Sequence, residues 1–264
     1  MNRIDRCFQE LRATRRKALI PFVTAGDPDL AATRELAWAF EEAGADLLEI
    51  GVPFSDPLAD GATIQRASQR ALQHGVTLKR AIGLVEEIRA KSRMPMILMS
   101  YVNPILRMGV EEFAGRAADA GVDGIIIPDL PPEEAQELHY RCAACAVHTI
   151  FLAAPTSPET RLRRIVESSE GYIYYVSLRG VTGARASLEA DLEGSLARLR
   201  RLTDKPIAVG FGISTAAQVS QVARLADGVI VGSAVVECIE RSAGTSQMVG
   251  DVAGFVRSLK QAMQ

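Results

Sequence analysis

Two acidic residues and the spacing between them suggest acid–base chemistry. Glu49 lies inside the apolar run LLEI (47–50), and Asp60 follows eleven residues later near the end of the loop Gly51–Gly61. Burial disfavours the charged form of a carboxyl group and raises its pKa, so a buried Glu49 would exchange a proton near neutral pH. Asp60 could stay ionised, and two carboxyl groups in unlike surroundings can divide the acid and base roles. A strand-end Glu49 held by a salt bridge is the alternative interpretation.

Glycine-rich turns late in the chain suggest a binding site for a phosphate group. GFGIS spans Gly210–Ser214 and VGS spans Val231–Ser233, and each turn follows an apolar run. Backbone amides in such turns bind anions, assisted by the partial positive charge of the helix N-terminus behind them. Ordinary turns between strand and helix have the same composition, so that interpretation stays open. The chain lacks a G-x-x-x-x-G-K-[S/T] motif, which favours a small sugar phosphate over a hydrolysed nucleotide.

A third segment, Ser177–Leu188 (SLRGVTGARASL), precedes a helical pattern and contains two glycines. Its composition fits equally well a lid that closes over a ligand and an irregular surface loop.

The C-x-x-C pair Cys142 and Cys145 lacks a second pair of ligands, so we interpret both thiols as packing residues and predict no metal site. None of the three histidines falls at a catalytic strand-end position.

These residues follow a repeated pattern of buried strand and helix. Eight short apolar runs without polar alternation are each followed by a longer stretch with helical spacing, as is typical of parallel strands covered on both faces. The pattern predicts an α/β fold, a single (β/α)₈ TIM barrel with an extra N-terminal helix, in which chemistry lies at the carboxyl ends of the strands. An open doubly wound sheet is the alternative, but its G-x-G-x-x-G turn is absent. The runs are ALIPFV (18–23), LLEI (47–50), MILM (96–99), GIII (124–127), VHTIFL (147–152), YIYYV (172–176), IAV (207–209) and GVIV (228–231).

Composition narrows the class of protein further. The 264 residues are 48% hydrophobic and 23% charged, and 30 basic against 32 acidic residues give a net charge of −2. This balance argues against a nucleic-acid-binding protein. No apolar run reaches the roughly 18 residues of a membrane span, and the N-terminus lacks the apolar core of a signal peptide. We therefore expect one domain, residues 1–264, in a cytoplasmic protein.

Four phrases together resemble one known family. EIGVPFSDPLADG (49–61), PDLPPEE (128–134), GVTGAR (180–185) and FGIS (211–214) are similar to the tryptophan synthase α subunit family, and the similarity runs from Phe22 to Val236. The resemblance implies a (β/α)₈ barrel that cleaves indole-3-glycerol phosphate to indole and glyceraldehyde 3-phosphate by a retro-aldol reaction. It also implies that this chain needs no cofactor, because a partner β subunit carries pyridoxal phosphate and consumes the indole.

The same resemblance implies a role for individual residues. Glu49 would be the general acid/base, Asp60 would pair with the indole N–H, and Tyr174 would contact the reacting region. The phosphate would bind main-chain amides at Gly183, Gly212, Gly232 and Ser233. The indole pocket would be walled by Phe22, Ile64, Met99, Ile126, Phe211 and Ile230. The β subunit, in an α2β2 complex, would contact Pro53, Asp56, Pro57, Asn103 and Pro131.

The sequence leaves two other functions open. The chain could be a free-standing lyase that produces indole without a partner, or a non-catalytic subunit that only activates one. The presence of both Glu49 and Asp60 argues against the second of these.

Overall fold

The computed structural model describes residues 1–177, 185–210 and 212–264, with the backbone alone for residues 185–190. Its described strands are all parallel and follow one another around a barrel. All eight predicted apolar runs form strands, which confirms the predicted fold class. The strands are β1 Ala18–Thr24, β2 Leu48–Gly51, β3 Met96–Met99, β4 Gly124–Ile126, β5 His148–Ile150, β6 Leu152–Ala153, β7 Ile173–Val176, β8 Ile207–Gly210 and β9 Gly228–Val231.

The fifth apolar run gives two short strands instead of one. β5 pairs with β4, whereas β6 pairs with β7, and the break falls at Phe151. The N–H of Phe151 donates to Ser169 Oγ at 3.2 Å. The two pieces follow each other directly in the chain, so together they fill one of eight strand positions, and β1 pairs with both β2 and β9.

Helices cover the outside of the strands, except for α1, which lies across one end of the barrel. They are α1 Arg3–Ala13, α2 Leu30–Glu42, α3 Ala62–Gln73, α4 Leu78–Arg89, α5 Val102–Met108, α6 Val110–Asp119, α7 Gln136–Ala144, α8 Glu159–Ser168, α9 Arg185–Arg200, α10 Ala216–Leu225, α11 Ser233–Ser242 and α12 Met248–Gln261. Within the described part of the chain, no helix is long and apolar enough to cross a membrane.

Side chains alternate between the barrel interior and the layer under the helices. In β1, Ile20 belongs to the interior cluster, and its neighbour Leu19 belongs to the outer cluster beneath the helices. Because parallel strands run in the same direction, their carboxyl ends share one rim, where Thr24 pairs with Gly51 and Gly51 with Met99. Residues just past the strands are therefore brought together at that rim.

The extra N-terminal helix, also predicted from the sequence, covers the end of the barrel opposite the carboxyl rim. Asn2 caps α1 by accepting from the Ile4 N–H at 2.8 Å, and its amide donates at 2.8 Å to the carbonyl of Asp123, just before β4. Ile4, Phe8 and Leu11 form the buried face of α1. These three side chains join the interior cluster, so α1 closes the end of the barrel away from the carboxyl rim.

Candidate active site

A cavity of about 450 Å³ opens at the carboxyl rim of the barrel. It contains both acidic residues singled out in the sequence, together with turns that follow β8 and β9. Its walls are formed by Phe22, Glu49, Asp60, Gly61, Ile64, Met99, Tyr174, Gly212, Ile213, Ser214, Ile230, Gly232, Ser233, Ala234 and Glu237.

Glu49 lies in the middle of β2 and is 1% exposed. Its Oε1 accepts a hydrogen bond of 2.8 Å from the hydroxyl of Tyr172, and its Oε2 has no partner among the described residues. Burial raises the pKa of Glu49 to about 8, although the hydrogen bond from Tyr172 partly opposes this. At neutral pH the side chain is therefore mostly protonated and can donate a proton.

Asp60 ends the loop between β2 and α3. Burial raises its pKa to about 6, and a hydrogen bond from Tyr101 acts in the opposite direction. The Tyr101 hydroxyl also accepts from the N–H of Ala59 at 2.9 Å, and its ring stacks on Phe54 with centroids 5.1 Å apart. Tyr101 thus holds the end of this loop at two adjacent residues.

The two carboxyl groups differ in protonation state at neutral pH. With pKa values of about 8 and about 6, Glu49 is mostly neutral at pH 7 and Asp60 is mostly ionised. Such a pair can supply a proton and stabilise a positive charge in the same cavity.

Turns after β8 and β9 form the polar side of the cavity. Gly212 adopts a positive φ of 70°, which glycine reaches at little cost. Gly232 caps α11, and Ser233 is the first residue of that helix. The first amides of a helix lack acceptors within it, so this end of α11 offers donors and partial positive charge to an anion.

Two glycines make room for the aromatic walls. A Cβ built on Gly51 would lie 2.4 Å from Cζ of Phe22, and one on Gly210 would lie 2.5 Å from the Tyr174 hydroxyl. Real Cβ atoms do not approach other atoms this closely. Any side chain at Gly51 or Gly210 would therefore collide with the aromatic ring beside it.

The structure brings most of the predicted substrate-site residues to this one cavity. Ile126 is an exception, since it is fully buried in the interior cluster and is not among the residues that line the cavity. Gly183 and Phe211 lie outside the described residues, as does most of the predicted lid.

Predicted partner-contact residues lie in the loops after β2 and β4 and in the first turn of α5, which follows β3. Pro53 and Asn103 line a separate cavity of about 750 Å³ beside Phe54. Asp56 is exposed, and Pro57 and Pro131 are partly exposed. The neighbouring Leu58 is 94% exposed.

The sequence assigned no role to two tyrosines that hold the carboxyl groups, although Tyr101 follows a predicted strand and so is a candidate position at the rim. Tyr172 is fully buried and donates to Glu49, and Tyr101 contacts Asp60. The sequence did contain a signal for the first, because Tyr172 and Tyr174 are two residues apart in one strand run and so face the same side. Nothing in the sequence linked Tyr101 to Asp60.

No group of three or more His, Cys, Asp or Glu side chains within residues 1–177, 185–210 and 212–264 is placed to hold a metal ion. Cys142 and Cys145 are free thiols. Burial raises the pKa of Cys142 to about 12, so this thiol stays protonated and packs in the core on the buried face of α7.

Comparisons with known proteins agree on one family. The sequence profile of the family described as "Tryptophan synthase alpha chain" matches residues 8–264. The tryptophan synthase alpha chain of Geobacter sulfurreducens is 49% identical over 263 residues, covering 100% of this chain and 99% of the relative. That of Chloroflexus aggregans is 50% identical over 265 residues, with 100% and 99% coverage. The crystal structure of tryptophan synthase subunit alpha from Legionella pneumophila superposes with a TM-score of 0.93 at 38% identity, covering 100% of this chain and 98% of that one.

Proposed function

The chain belongs to the tryptophan synthase alpha chain family, and we propose that Glu49 and Asp60 carry out the reaction of that family in the cavity at the carboxyl rim. The enzyme is a carbon–carbon lyase that cleaves indole-3-glycerol phosphate to indole and glyceraldehyde 3-phosphate. The observation that carries the residue assignment is the pair of carboxyl groups in one cavity, with pKa values of about 8 and about 6.

In this assignment Glu49 acts first as an acid and then as a base. Its proton goes to the indole ring carbon that bears the glyceryl chain, which leaves positive charge on the ring nitrogen. The Glu49 carboxylate then takes the proton of the hydroxyl on the adjacent chain carbon. The carbon–carbon bond breaks, its electron pair restores the indole ring, and the chain carbon becomes the aldehyde. Glu49 ends protonated, ready for the next turnover.

Asp60 stabilises the charge that develops during the first proton transfer. As a carboxylate it accepts a hydrogen bond from the indole N–H, and the attraction grows as the nitrogen becomes positive. An interaction that strengthens in the transition state raises the rate of the chemical step. Tyr174 contacts the reacting region from the opposite side of the barrel interior.

The remaining walls would bind the two ends of the substrate. The phosphate is assigned to the amide of Gly212 in the turn after β8 and to the amides of Gly232 and Ser233 at the start of α11, together with Gly183. The indole is assigned to the apolar walls Phe22, Ile64, Met99, Phe211 and Ile230. Ile126, predicted as a sixth wall residue, is buried in the interior cluster and does not line the cavity. Ten of the assigned residues, including Glu49, Asp60 and Tyr174, line the same cavity, which supports a single ligand that spans them.

We further propose a β subunit that carries pyridoxal phosphate as partner in an α2β2 complex, while this chain works without a cofactor. The contact surface comprises Pro53, Asp56, Pro57, Asn103 and Pro131. The nearly full exposure of Leu58 supports it, because a large apolar side chain on a loop gains from being covered. Residues 1–264 would act as one domain in the cytoplasm.

Exchange of Glu49 for glutamine tests the catalytic assignment. Glu49→Gln keeps the shape of the side chain but cannot exchange a proton, so we expect indole release to fall by about 10²- to 10⁴-fold. Glu237→Gln is the matched control, since Glu237 lines the same cavity but is exposed. Both variants should retain the circular dichroism spectrum. Near-normal turnover by folded Glu49→Gln would refute the role of Glu49.

A separate measurement tests the partnership. Turnover of indole-3-glycerol phosphate is compared with and without purified β subunit, and we expect a strong increase when the partner is present. Equal rates in both conditions would support a free-standing lyase instead.

A further inference from the structure

A second polar cavity lies at the end of the barrel opposite the candidate active site. It has a volume of about 470 Å³ and is formed where α1 ends and where β1, β8 and β9 begin. Five basic side chains line it, and we call the cavity they form the basic pocket. They are Arg12, Arg15, Arg16, Lys17 and Arg200.

Positive charge in the basic pocket exceeds the negative charge available to it. Asp204 and Asp227 are its acidic lining residues. Asp227 is already paired, with Lys17 at 3.8 Å and with Arg200. Among the residues that the structure describes, no carboxylate forms an ion pair with Arg12, Arg15 or Arg16. The chain as a whole carries a net charge of −2, so this excess of cations is local.

The basic side chains also disfavour one another's charged forms. Burial and the nearby charge of Arg200 lower the pKa of Lys17. Burial and the charge of Arg12 lower the pKa of Arg200, and the charge of Asp204 partly opposes this. A cluster that is repulsive in the free protein is relieved by a bound anion, because the anion attracts every member of the cluster.

The backbone holds the pocket in shape. The N–H of Arg16 donates to the Leu11 carbonyl at 2.8 Å, and the N–H of Arg15 donates to the Arg12 carbonyl at 3.2 Å. These bonds occupy carbonyls at the end of α1, which would otherwise repel an anion. Arg15 adopts a φ of 55°, a conformation that residues other than glycine seldom adopt. The turn after α1 is therefore fixed before any ligand binds.

We propose that the basic pocket binds a small anion with two or more negative charges, such as a diphosphate or a tricarboxylate. Guanidinium groups form paired hydrogen bonds with both phosphate and carboxylate oxygens, and the cavity lies within the usual size range of small-molecule sites. Its location is separate from the carboxyl rim, so the proposal does not depend on the catalytic assignment. The concave shape favours a small molecule over an extended nucleic-acid strand.

Calorimetric titration of the full chain tests this proposal, with inorganic pyrophosphate and citrate as separate probes at constant ionic strength. The double variant Arg12→Gln/Arg16→Gln removes two cations from the pocket. The control Arg6→Gln/Arg93→Gln removes two exposed arginines that do not line it. We expect affinity for at least one probe to fall about tenfold or more in the pocket variant and less than twofold in the control.

The two probes distinguish a phosphate ligand from a carboxylate ligand. A pyrophosphate response alone indicates a phosphorylated compound, and a citrate response alone indicates a polycarboxylate. Equal affinity in the wild-type protein and both variants overturns the proposal, because it indicates binding elsewhere or general screening. Binding of a single-stranded RNA oligonucleotide, without binding of either small anion, also overturns it.

If the double variant unfolds, a single substitution provides a second test. Asparagine tolerates positive φ better than most residues, so Arg15→Asn should keep the turn while removing one cation. We expect an unchanged melting temperature, turnover of indole-3-glycerol phosphate within twofold of the wild type, and probe affinity about threefold to tenfold weaker. Unchanged probe affinity in this variant contradicts the proposal.

Discussion

The protonation state of Glu49 depends on a neighbour that does not line the candidate active site. Tyr172 donates to Oε1 from within the barrel interior, while Oε2 is left without a partner among the described residues. Burial and the nearby charge of Glu49 raise the pKa of Tyr172 well above its usual value, so it stays a donor. We therefore regard Tyr172 as a positioning residue for Glu49.

The substitution Tyr172→Phe should move the alkaline limb of the pH–rate profile to higher pH. The hydroxyl lowers the pKa of Glu49, so its loss raises that pKa above about 8. We also expect kcat to fall by about threefold to tenfold, because Oε1 is held less well. The measurement is kcat/KM for indole release as a function of pH.

Tyr175→Phe serves as its control. Tyr175 lies in β7, which begins directly after Tyr172, but it belongs to the outer cluster rather than to the barrel interior. If both variants leave the alkaline limb where it is in the wild-type enzyme, Tyr172 does not set the pKa of Glu49.

At the scale of single residues, the sequence indicated which residue types could take part in the chemistry. It did not indicate which residues contact one another. An acid in an apolar run was enough to predict burial of Glu49, which is 1% exposed. The hydrogen bond to Tyr172 joins residues 123 positions apart, and no local pattern encodes such a pairing. Ile126 illustrates the same limit, because alternation predicts an inward side chain but not how far from the rim it lies.

At the scale of secondary structure, the strands fit together through glycines that leave space for aromatic rings. Gly51 in β2 faces the ring of Phe22 in β1, and Gly210 in β8 faces Tyr174 in β7. Each pair shapes one wall of the cavity.

Replacement of Gly51 by alanine should therefore disturb both stability and substrate binding. The added Cβ would lie 2.4 Å from Phe22 Cζ, so the ring must move. We expect a loss of about 1–3 kcal/mol in the free energy of unfolding, together with a raised KM. Equilibrium denaturation in urea and steady-state kinetics measure the two effects.

Gly83→Ala is the matched control, because it lies in α4 with nothing within 4 Å of the added atom. It should stabilise the protein by about 0.5–1 kcal/mol. If Gly51→Ala is as stable as this control and retains the wild-type KM, the fit between Gly51 and Phe22 does not shape the cavity.

The strands themselves were predictable, but the break in the fifth was not. Continuous apolar runs identify buried parallel strands, and VHTIFL gave no sign of an interruption. The break occurs where Ser169, eighteen residues later, accepts the N–H of Phe151. The Ser169 hydroxyl takes the Phe151 N–H away from the pairing between strands. Only the folded structure shows that it lies close enough to do so.

At the scale of the whole molecule, α1 connects the closed end of the barrel to the catalytic acid. The ring of Phe8 packs against Tyr172 with centroids 5.6 Å apart, and Tyr172 in turn donates to Glu49. Although α1 covers the end of the barrel away from the active site, it thus supports Tyr172, the residue that positions Glu49.

Phe8→Ala should reduce both stability and catalytic rate. Removal of this buried ring costs about 3–5 kcal/mol and frees Tyr172 to move. Leu11→Ala removes another buried apolar side chain from α1 and is the control for stability alone. We expect kcat to fall several-fold more in Phe8→Ala than in Leu11→Ala when kcat is measured under conditions in which both variants are folded. Equal kcat values would show that α1 acts only through stability.

The pH dependence of kcat/KM tests the central claim most directly, since this quantity reports the ionisations of the free enzyme. Asp60 must be a carboxylate, so activity should rise as pH increases through about 6. Glu49 must carry a proton, so activity should fall as pH increases through about 8. The account therefore predicts a bell-shaped profile for indole release with its maximum near pH 7. A rate that continues to rise above pH 8 would contradict it.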